Sequence, residues 1–353
     1  VTTEPALSSA KPRAIELLRV SGGHREIGRV IGTHCADAIR RRCDALDTAT
    51  VTAADPYRVV TVAELPWLIE ELDAVAEAAG VDRLALFAAS VEELETQQDD
   101  GAERMRGCSD LVACGPATAD GHIWVGHTND LSADSEDDLI AIEWRVPGDP
   151  VVFTVGIGPW ISVGFNSAGL ALTGNEVTPN DNRVGIPRLL QVRDMLRRRT
   201  LDEAVEAALH PRRASSYNNV LSHRDGGVVS VEGSATDAAL LRPGPEGTLA
   251  HTNHYVSARM LPYEGDMEYA SHSAVRYRRA LGWLAMGTIT ATLLREALSD
   301  HRNAPDSICR HLEAGSQTKT VFWCVADVTV GSITYGRGNP CDSHDQRYEF
   351  DPA

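Results

Sequence analysis

A thiol, an amide and a carboxylate stand on either side of one turn signal: Gly107-Cys108-Ser109-Asp110, then Asp120-Gly121, then Thr128-Asn129-Asp130. Asp-Gly between two apolar runs is a hairpin turn, so Thr128, Asn129 and Asp130 return to the end of the hairpin that carries Cys108. A thiol beside a carboxylate and amides at a sheet end suits covalent catalysis, in which sulfur attacks a carbonyl and its neighbours orient it and handle the proton. The competing reading is structural. A cysteine at a strand start is more often a small buried hydrophobe, and Asn129-Asp130 also opens an acidic, solvated loop over residues 131–138.

Other polar groups are weaker candidates. In His251-Thr252-Asn253-His254 two histidines are three apart, but no HExxH and no cysteine pair accompanies them, so zinc is not expected there. Asn253 is the more useful member, because an amide held at a turn can donate to a developing oxyanion. The loop acids Asp130, Asp134, Glu136, Asp137 and Asp138 lack the glycine and terminal glutamate of a calcium loop. The seven cysteines are scattered without a CxxC pair and read as free thiols, not as a disulfide frame or a zinc knuckle. No phosphate-cradling glycine loop follows a strand, so a nucleotide fold has no support. Neither a metal nor a cofactor is expected.

The elements that must position these groups change character at Cys108. Before it, a strand over residues 15–20 leads into helices over 24–47, 65–79 and 82–95, with Ile27, Ile31, Cys35 and Ile39 on one face of the first. After it come short apolar runs over 108–113, 122–128, 139–146, 151–157, 160–165, 169–173, 219–223, 228–232, 320–328 and 332–335, interrupted by helical blocks over 187–210 and 272–300. Strands and helices in alternating groups predict an α+β layered sandwich whose helices cover antiparallel sheets. The 353 residues include 33 basic and 50 acidic side chains, a formal charge of −17, which argues against nucleic acid or an anionic membrane as partner. No run is long and apolar enough to span a membrane, and the first twenty residues lack a secretion signal, so a cytoplasmic location is expected.

Read in order, Gly23-His24-Arg25-Glu26-Ile27-Gly28, Gly107-Cys108-Ser109-Asp110, Gly126-His127-Thr128-Asn129-Asp130, Gly164-Phe165-Asn166-Ser167-Ala168-Gly169, His251-Thr252-Asn253-His254 and Ser307-Ile308-Cys309-Arg310 resemble the acyl-coenzyme A:isopenicillin N acyltransferase family, over residues 14–341. The resemblance implies a four-layer αββα N-terminal-nucleophile hydrolase sandwich, made as a precursor that cuts itself between Gly107 and Cys108. It implies that Cys108 becomes the nucleophile, with Asp130 beside it and Asn253 as oxyanion donor. Residues 1–107 are then a small helical chain that remains as a partner, and 108–353 the catalytic chain. The freed α-amino group, with a reference pKa of about 7.7–8.0, serves as the thiol's own base. The implied activity is cleavage or exchange of the acyl group of a small N-acyl or aminoacyl amide, of the kind found among secondary metabolites.

One departure stands out. The family's late Ser-Arg pair falls at Ser316-Gln317, which removes a fixed charge and a bidentate carboxylate partner. With Asn129, Tyr217 and Asn218, this pair makes the candidate substrate pocket, and Trp124 and Trp160 are further candidates for its lining. The arginines over 197–199 and 276–279 are read as solvated helix faces, and the strongly negative chain favours water or an amide donor over coenzyme A. Two alternatives remain at this point: a binding protein of the same fold that does not process itself, and a conventional cysteine hydrolase with His127, His251 or His254 as base.

Overall fold

A computed structural model of the chain describes residues 14–94, 107–313 and 316–350. Its first sheet begins with β1 (Glu16–Ser21), parallel to β4 (Leu139–Arg145). It continues antiparallel through β5 (Val152–Ile157), β6 (Trp160–Asn166), β7 (Leu170–Asn175), β8 (Asn218–His223), β9 (Gly227–Gly233) and β10 (Ala238–Leu241). The second sheet is antiparallel throughout, in the order β11 (Thr248–His251), β2 (Gly107–Ala113), β3 (Trp124–Ser132), β12 (Thr318–Asp327), β13 (Ser332–Arg337) and β14 (Gln346–Glu349).

Strand alternation builds the layers. In β4, Ile140, Ile142 and Trp144 join one apolar cluster with Ile27, Ile31 and Val75, whereas Ala141 joins another with Phe153, Val112 and Phe322. The second cluster is therefore the seam between the sheets. On the far side of the second sheet, Leu111, Ala113 and Trp323 meet Ala280, Leu284 and Leu294. Those last residues lie on α9 (Met267–Leu284) and α10 (Ala291–Leu298), so the order of layers is helix, sheet, sheet, helix, the αββα sandwich expected.

The outer helices of the first sheet are α1 (His24–His34), α2 (Ala36–Asp44), α3 (Thr48–Ala53), α4 (Asp55–Glu64), α5 (Pro66–Ala79), α6 (Arg83–Ala88), α7 (Arg188–Met195) and α8 (Leu201–Ala208). The single helix expected over 24–47 is two, because the chain leaves helical geometry at Cys35 (φ −94°, ψ 14°). Helices α3 and α4, and the four-residue strands β10, β11 and β14, went unread in the sequence. Pro66 opens α5 and Gly80, at φ 72°, closes it, as expected. The helix expected over 82–95 ends early at Ala88, and Glu95 lies outside the described residues, as do 1–13 and 95–106 of the expected small chain.

The described part of that leader is built into the sandwich. Gly28 and Gly32 let α1 lie directly on α5, where a Cβ at either would come within 2.3 Å of a carbonyl oxygen, that of Glu71 or Val75. Glu71 takes a salt bridge from Arg193 of α7 and a hydrogen bond from His24 of α1 at 2.9 Å. No described helix is long and apolar enough to cross a membrane. All seven cysteines are free thiols, as expected, although Cys309 and Cys341, far apart in sequence, bring their sulfurs within 3.7 Å.

Candidate active site

The hairpin logic places the first three groups. In the β2–β3 ladder Cys108 faces Asn129 and Gly107 faces Asp130, with Gly121 at φ 74° in the connecting turn. Asn129 Nδ2 donates to Cys108 Sγ at 3.3 Å. Opposite Asp130, β12 carries a bulge between Thr320 and Phe322, and Thr320 Oγ1 donates to Asp130 Oδ1 at 2.6 Å. A bulge re-aims side chains where a ladder would otherwise run on evenly.

Asn253 follows β11, the neighbour of β2 on its other side. Its Oδ1 accepts from the Cys108 backbone N–H at 2.8 Å and from Arg276 Nη2 at 2.7 Å, and its Nδ2 donates to the Glu176 carbonyl at 3.0 Å. These partners fix the amide's orientation. Asn253 therefore reaches Cys108 as expected, but with its oxygen; the N–H₂ group expected to serve an oxyanion is turned to Glu176. The Asn253 N–H in turn donates to Ser273 Oγ at 2.6 Å, which pins the loop to α9.

Two guanidiniums flank the acid, and the sequence reading missed both. Arg276, assigned there to a solvated face, is 2% exposed, and Arg310 is 4% exposed. The signal was present in the spacing. Ala270, Ser273, Arg276, Ala280 and Leu284 form the buried stripe of α9, so Arg276 is a charge inside an apolar face. Arg276 Nε and Nη1 and Asp130 Oδ2 are buried without hydrogen-bond partners. A Cβ on Gly107 would lie 3.0 Å from Arg276 Nη1 and 3.1 Å from Asp130 Oδ2, tighter than side chains ordinarily pack. The residue before the cysteine is thus a glycine because two charged groups occupy the space beside it.

Burial sets the electrostatics. It pushes the Asp130 carboxyl above the ordinary carboxylate range despite the opposing charges of Arg310 and Arg276. The Cys108 thiol is pushed up strongly by burial first, then by the negative charges of Asp130 and Asp110, so in the continuous chain it is held protonated. Arg276 is pushed down, by burial foremost.

Cys108 opens on a cavity of about 180 Å³ whose lining includes Asn129, Asp130 and Tyr217, with Trp160, Ile161 and Leu172 as its apolar wall. Asn219, Glu92, Glu176 and Arg42 add polar edges. Of the other expected lining residues, Asn218 instead donates to Asn175 Oδ1 at 3.0 Å, Ser316 Oγ donates to the Thr318 carbonyl, and the Gln317 carbonyl accepts from Ala133 N–H. Asn218, Ser316 and Gln317 do not line the cavity, and neither does Trp124, whose ring nitrogen donates to Asp120. Asn219 takes the place expected for Asn218, since adjacent strand residues point to opposite faces.

The histidines are otherwise engaged. His251 Nε2 contacts Glu232 Oε1 at 2.7 Å while its Nδ1 contacts the Thr252 carbonyl, and His254 Nδ1 contacts Ser273 Oγ. His127 Nδ1 contacts Asp110 Oδ1 at 2.9 Å, both fully buried, with His127 Nε2 unpartnered. The loop acids are held by cations: Glu136 by Lys319 and Arg337, Asp137 by Arg337, Asp138 by Arg41.

A family profile described as acyl-coenzyme A:6-aminopenicillanic acid acyl-transferase matches residues 117–342, a span that begins after Cys108 and includes Asp130 and Asn253. No curated protein matches the chain. Similar solved structures include the N-acylethanolamine-hydrolyzing acid amidase ortholog of Caenorhabditis elegans, 16% identical, covering 63% of this chain and 93% of its own, with a TM-score of 0.42. Another is the R18L variant of conjugated bile acid hydrolase from Clostridium perfringens, 13% identical, covering 69% and 97%, TM-score 0.45. A third is penicillin V acylase from Agrobacterium tumefaciens, 10% identical, covering 65% and 83%, TM-score 0.40.

Proposed function

Because the chain belongs to the acyl-coenzyme A:6-aminopenicillanic acid acyl-transferase family, we propose that it cuts itself between Gly107 and Cys108 and then works as a cysteine amidohydrolase or acyltransferase on a small N-acyl amide. The observation that carries this reading is the pair of contacts on one residue: Asn129 on the Cys108 sulfur and Asn253 on its backbone nitrogen. A structural cysteine needs neither; a nucleophile whose nitrogen becomes an amine uses both.

In the precursor, Sγ attacks the Gly107 carbonyl carbon, the Gly107–Cys108 C–N bond breaks, and the nitrogen takes up the proton that sulfur gives up. Water then opens the thioester, leaving a Gly107 carboxylate and a free Cys108 thiol. Asp130, a carboxyl with raised proton affinity, is suited to relay that proton. Arg276, whose unpartnered Nη1 lies beside Gly107, is suited to stabilise the negative charge that develops on the carbonyl oxygen. In the mature enzyme Asn253 Oδ1 keeps its hold on the Cys108 nitrogen, now an α-amine that titrates at about 7.7–8.0 when unperturbed and can take the thiol's proton. The thiol then accepts an acyl group from an amide, and water or an amine removes it.

The wall of Trp160, Ile161 and Leu172 fits an apolar acyl group, and the polar edge at Asn219 and Tyr217 fits the amide's other half. Lining acids at Glu92, Asp130 and Glu176 outnumber the lining cation Arg42, which favours water or an amide donor over the polyanionic coenzyme A. Mass spectrometry of the purified chain is expected to find one fragment ending at Gly107 and another beginning at Cys108, and a single intact chain for Cys108→Ala. A wild-type chain that stays whole yet hydrolyses N-acyl amides overturns the reading.

One observation favours a second reading. Asp110 and His127 form a buried carboxylate–imidazole pair two residues along the same strand face from Cys108, so a conventional cysteine hydrolase would use His127 as its base. It requires activity without cleavage, and loss of that activity in His127→Gln.

A further inference from the structure

Away from the Cys108 cavity, four side chains from three separate stretches of sequence turn their ligating atoms toward one point. They are His301, Cys309, His311 and Cys341, whose nitrogen and sulfur atoms all lie within 4.8 Å of one another. His301 Nε2 and His311 Nε2 are 3.0 Å apart, the two sulfurs 3.7 Å, and Cys341 Sγ lies 3.3 Å from each of those nitrogens. Cys309 Sγ lies 3.9 Å from His311 Nε2. A tetrahedral zinc ion with bonds of about 2.3 Å to sulfur and about 2.0–2.1 Å to nitrogen has edges of about 3.8 Å between sulfurs, about 3.3 Å between nitrogens and about 3.6 Å between unlike atoms. The sulfur–sulfur edge matches that figure, the nitrogen–nitrogen edge is the shortest, and the sulfur–nitrogen edges of 3.3, 3.3 and 3.9 Å lie on either side of the value for unlike atoms. We infer that these four residues form a structural zinc site.

The chemistry of the set supports zinc over harder ions. Two thiolates and two imidazoles are borderline-soft donors. Four protein ligands leave no open position, which marks a structural site and not a catalytic one. Binding expels one proton from each cysteine, while each histidine binds through neutral Nε2, so the loaded site is uncharged. Asn339 Nδ2 donates to Cys309 Sγ at 3.4 Å, the outer hydrogen bond that a bound thiolate uses to disperse its charge.

Position gives the site its purpose. Cys309 and His311 flank Arg310, whose backbone N–H donates to Thr320 Oγ1 at 2.9 Å, the same hydroxyl that donates to Asp130. Asn339 Nδ2 also donates to the Arg310 carbonyl at 2.7 Å. A metal here ties residues 301–311 to the short turn Pro340–Asp342 and so fixes the backbone that supports Asp130 from behind. The metal assignment itself does not depend on the chemistry proposed for Cys108.

The test uses the full chain, purified without a histidine tag or chelator. Elemental analysis is expected to find about one zinc per chain. Replacement by Co²⁺ is expected to give the visible bands of a tetrahedral ion with thiolate-to-cobalt charge transfer. Cys341→Ser, at an exposed position, is expected to weaken zinc binding at least tenfold, since even outer partners of a metal ligand are worth 10–100-fold. Should that variant fail to fold, the cobalt spectrum of the wild-type chain decides alone. Zinc content near zero with Cys309 and Cys341 freely alkylated, a Cys309–Cys341 disulfide in peptide mapping, or an octahedral cobalt spectrum each overturns the assignment.

Discussion

Glu71 and Asp130 are both buried carboxylates with arginine neighbours, and they respond oppositely. Glu71, 4% exposed between α1, α5 and α7, has both oxygens bonded: Oε1 to Arg193 Nε, and Oε2 to Arg193 Nη2 and His24 Nδ1. Burial alone would raise it, but Arg193 and His24 outweigh burial and hold it below the ordinary range. Asp130 has one oxygen bonded, to a neutral hydroxyl, and one unpartnered, and burial prevails over Arg310 and Arg276. The difference lies in geometry. Direct bonds to charged donors satisfy Glu71 and make it a fastener, whereas Asp130 feels its cations across space and keeps an open oxygen, which suits a group that must exchange a proton.

The largest expected effect that would break this contrast is at Asp130. Asp130→Asn keeps the shape and the acceptor for Thr320 but removes the proton relay, so self-cleavage followed by gel or mass spectrometry is expected to slow by about 10²–10⁴-fold. Cleavage at the wild-type rate would reduce Asp130 to scaffolding. Stability should move in a different sense. Asp130 has a raised folded-state pKa, so its favourable contribution is present at low pH and lost as pH rises through the folded value. In a Cys108→Ala background, where both chains remain whole, urea unfolding at pH 7 is expected to find Asp130→Asn no less stable than its parent.

Glu71→Gln, in that same background, is expected to lose about 3–5 kcal/mol at pH 7, because Arg193 is left buried without its counter-charge. Glu71 has a depressed folded-state pKa, so its stabilisation is present above the ordinary carboxylate pKa and fades as pH falls through the folded value. The gap between variant and parent should therefore narrow in acid, a comparison that repeated unfolding curves at falling pH would check. In the self-cleaving chain, Glu71→Gln is expected to leave the cleavage rate unchanged.

How far the sequence revealed this arrangement depended on how local each cause was. Cys108, Asn129 and Asp130 were legible because one Asp-Gly turn and period-two pairing bring them together. In the described leader α1, α2, α5 and α6 were legible from apolar spacing, whereas α3, α4 and the break at Cys35 were not, the last because the apolar stripe runs on across it. Arg276 was hidden by its neighbours: the two nearby arginines, Arg278 and Arg279, suggest a solvated face, and only the small and apolar residues at three- and four-residue spacing betray that it points inward. Arg310 and the His301–Cys309–His311–Cys341 cluster were illegible for another reason. Cys309 and His311 are two apart, but Cys341 is joined to them only by the fold of β12 and β13, and no spacing rule spans that path. Asn218 and Asn219 were confused because which of two adjacent strand residues faces a cavity is set by register, which the sequence does not state.

The smallest effect sharpens the comparison most, because it perturbs Asp130 without touching its chemistry. A methyl group on Gly107 would sit about 3 Å from both Arg276 and Asp130, near enough to push them apart by a few tenths of an ångström and too far to prevent folding. Gly107→Ala leaves the scissile bond, the thiol and both charges in place, so it is expected to slow self-cleavage by about tenfold, the order of rate that about 1.4 kcal/mol of misalignment costs. Gly107→Val, bulkier at the same point, should slow it further. Were the site as tightly fastened as the one at Glu71, crowding would instead appear as lost stability in the Cys108→Ala background with little change in rate. A loosely held, partly unpaired acid yields to the added group, so the penalty should fall on the rate of the reaction while the fold's stability loses no more than the lower end of the roughly 1–3 kcal/mol that an added methylene ordinarily costs.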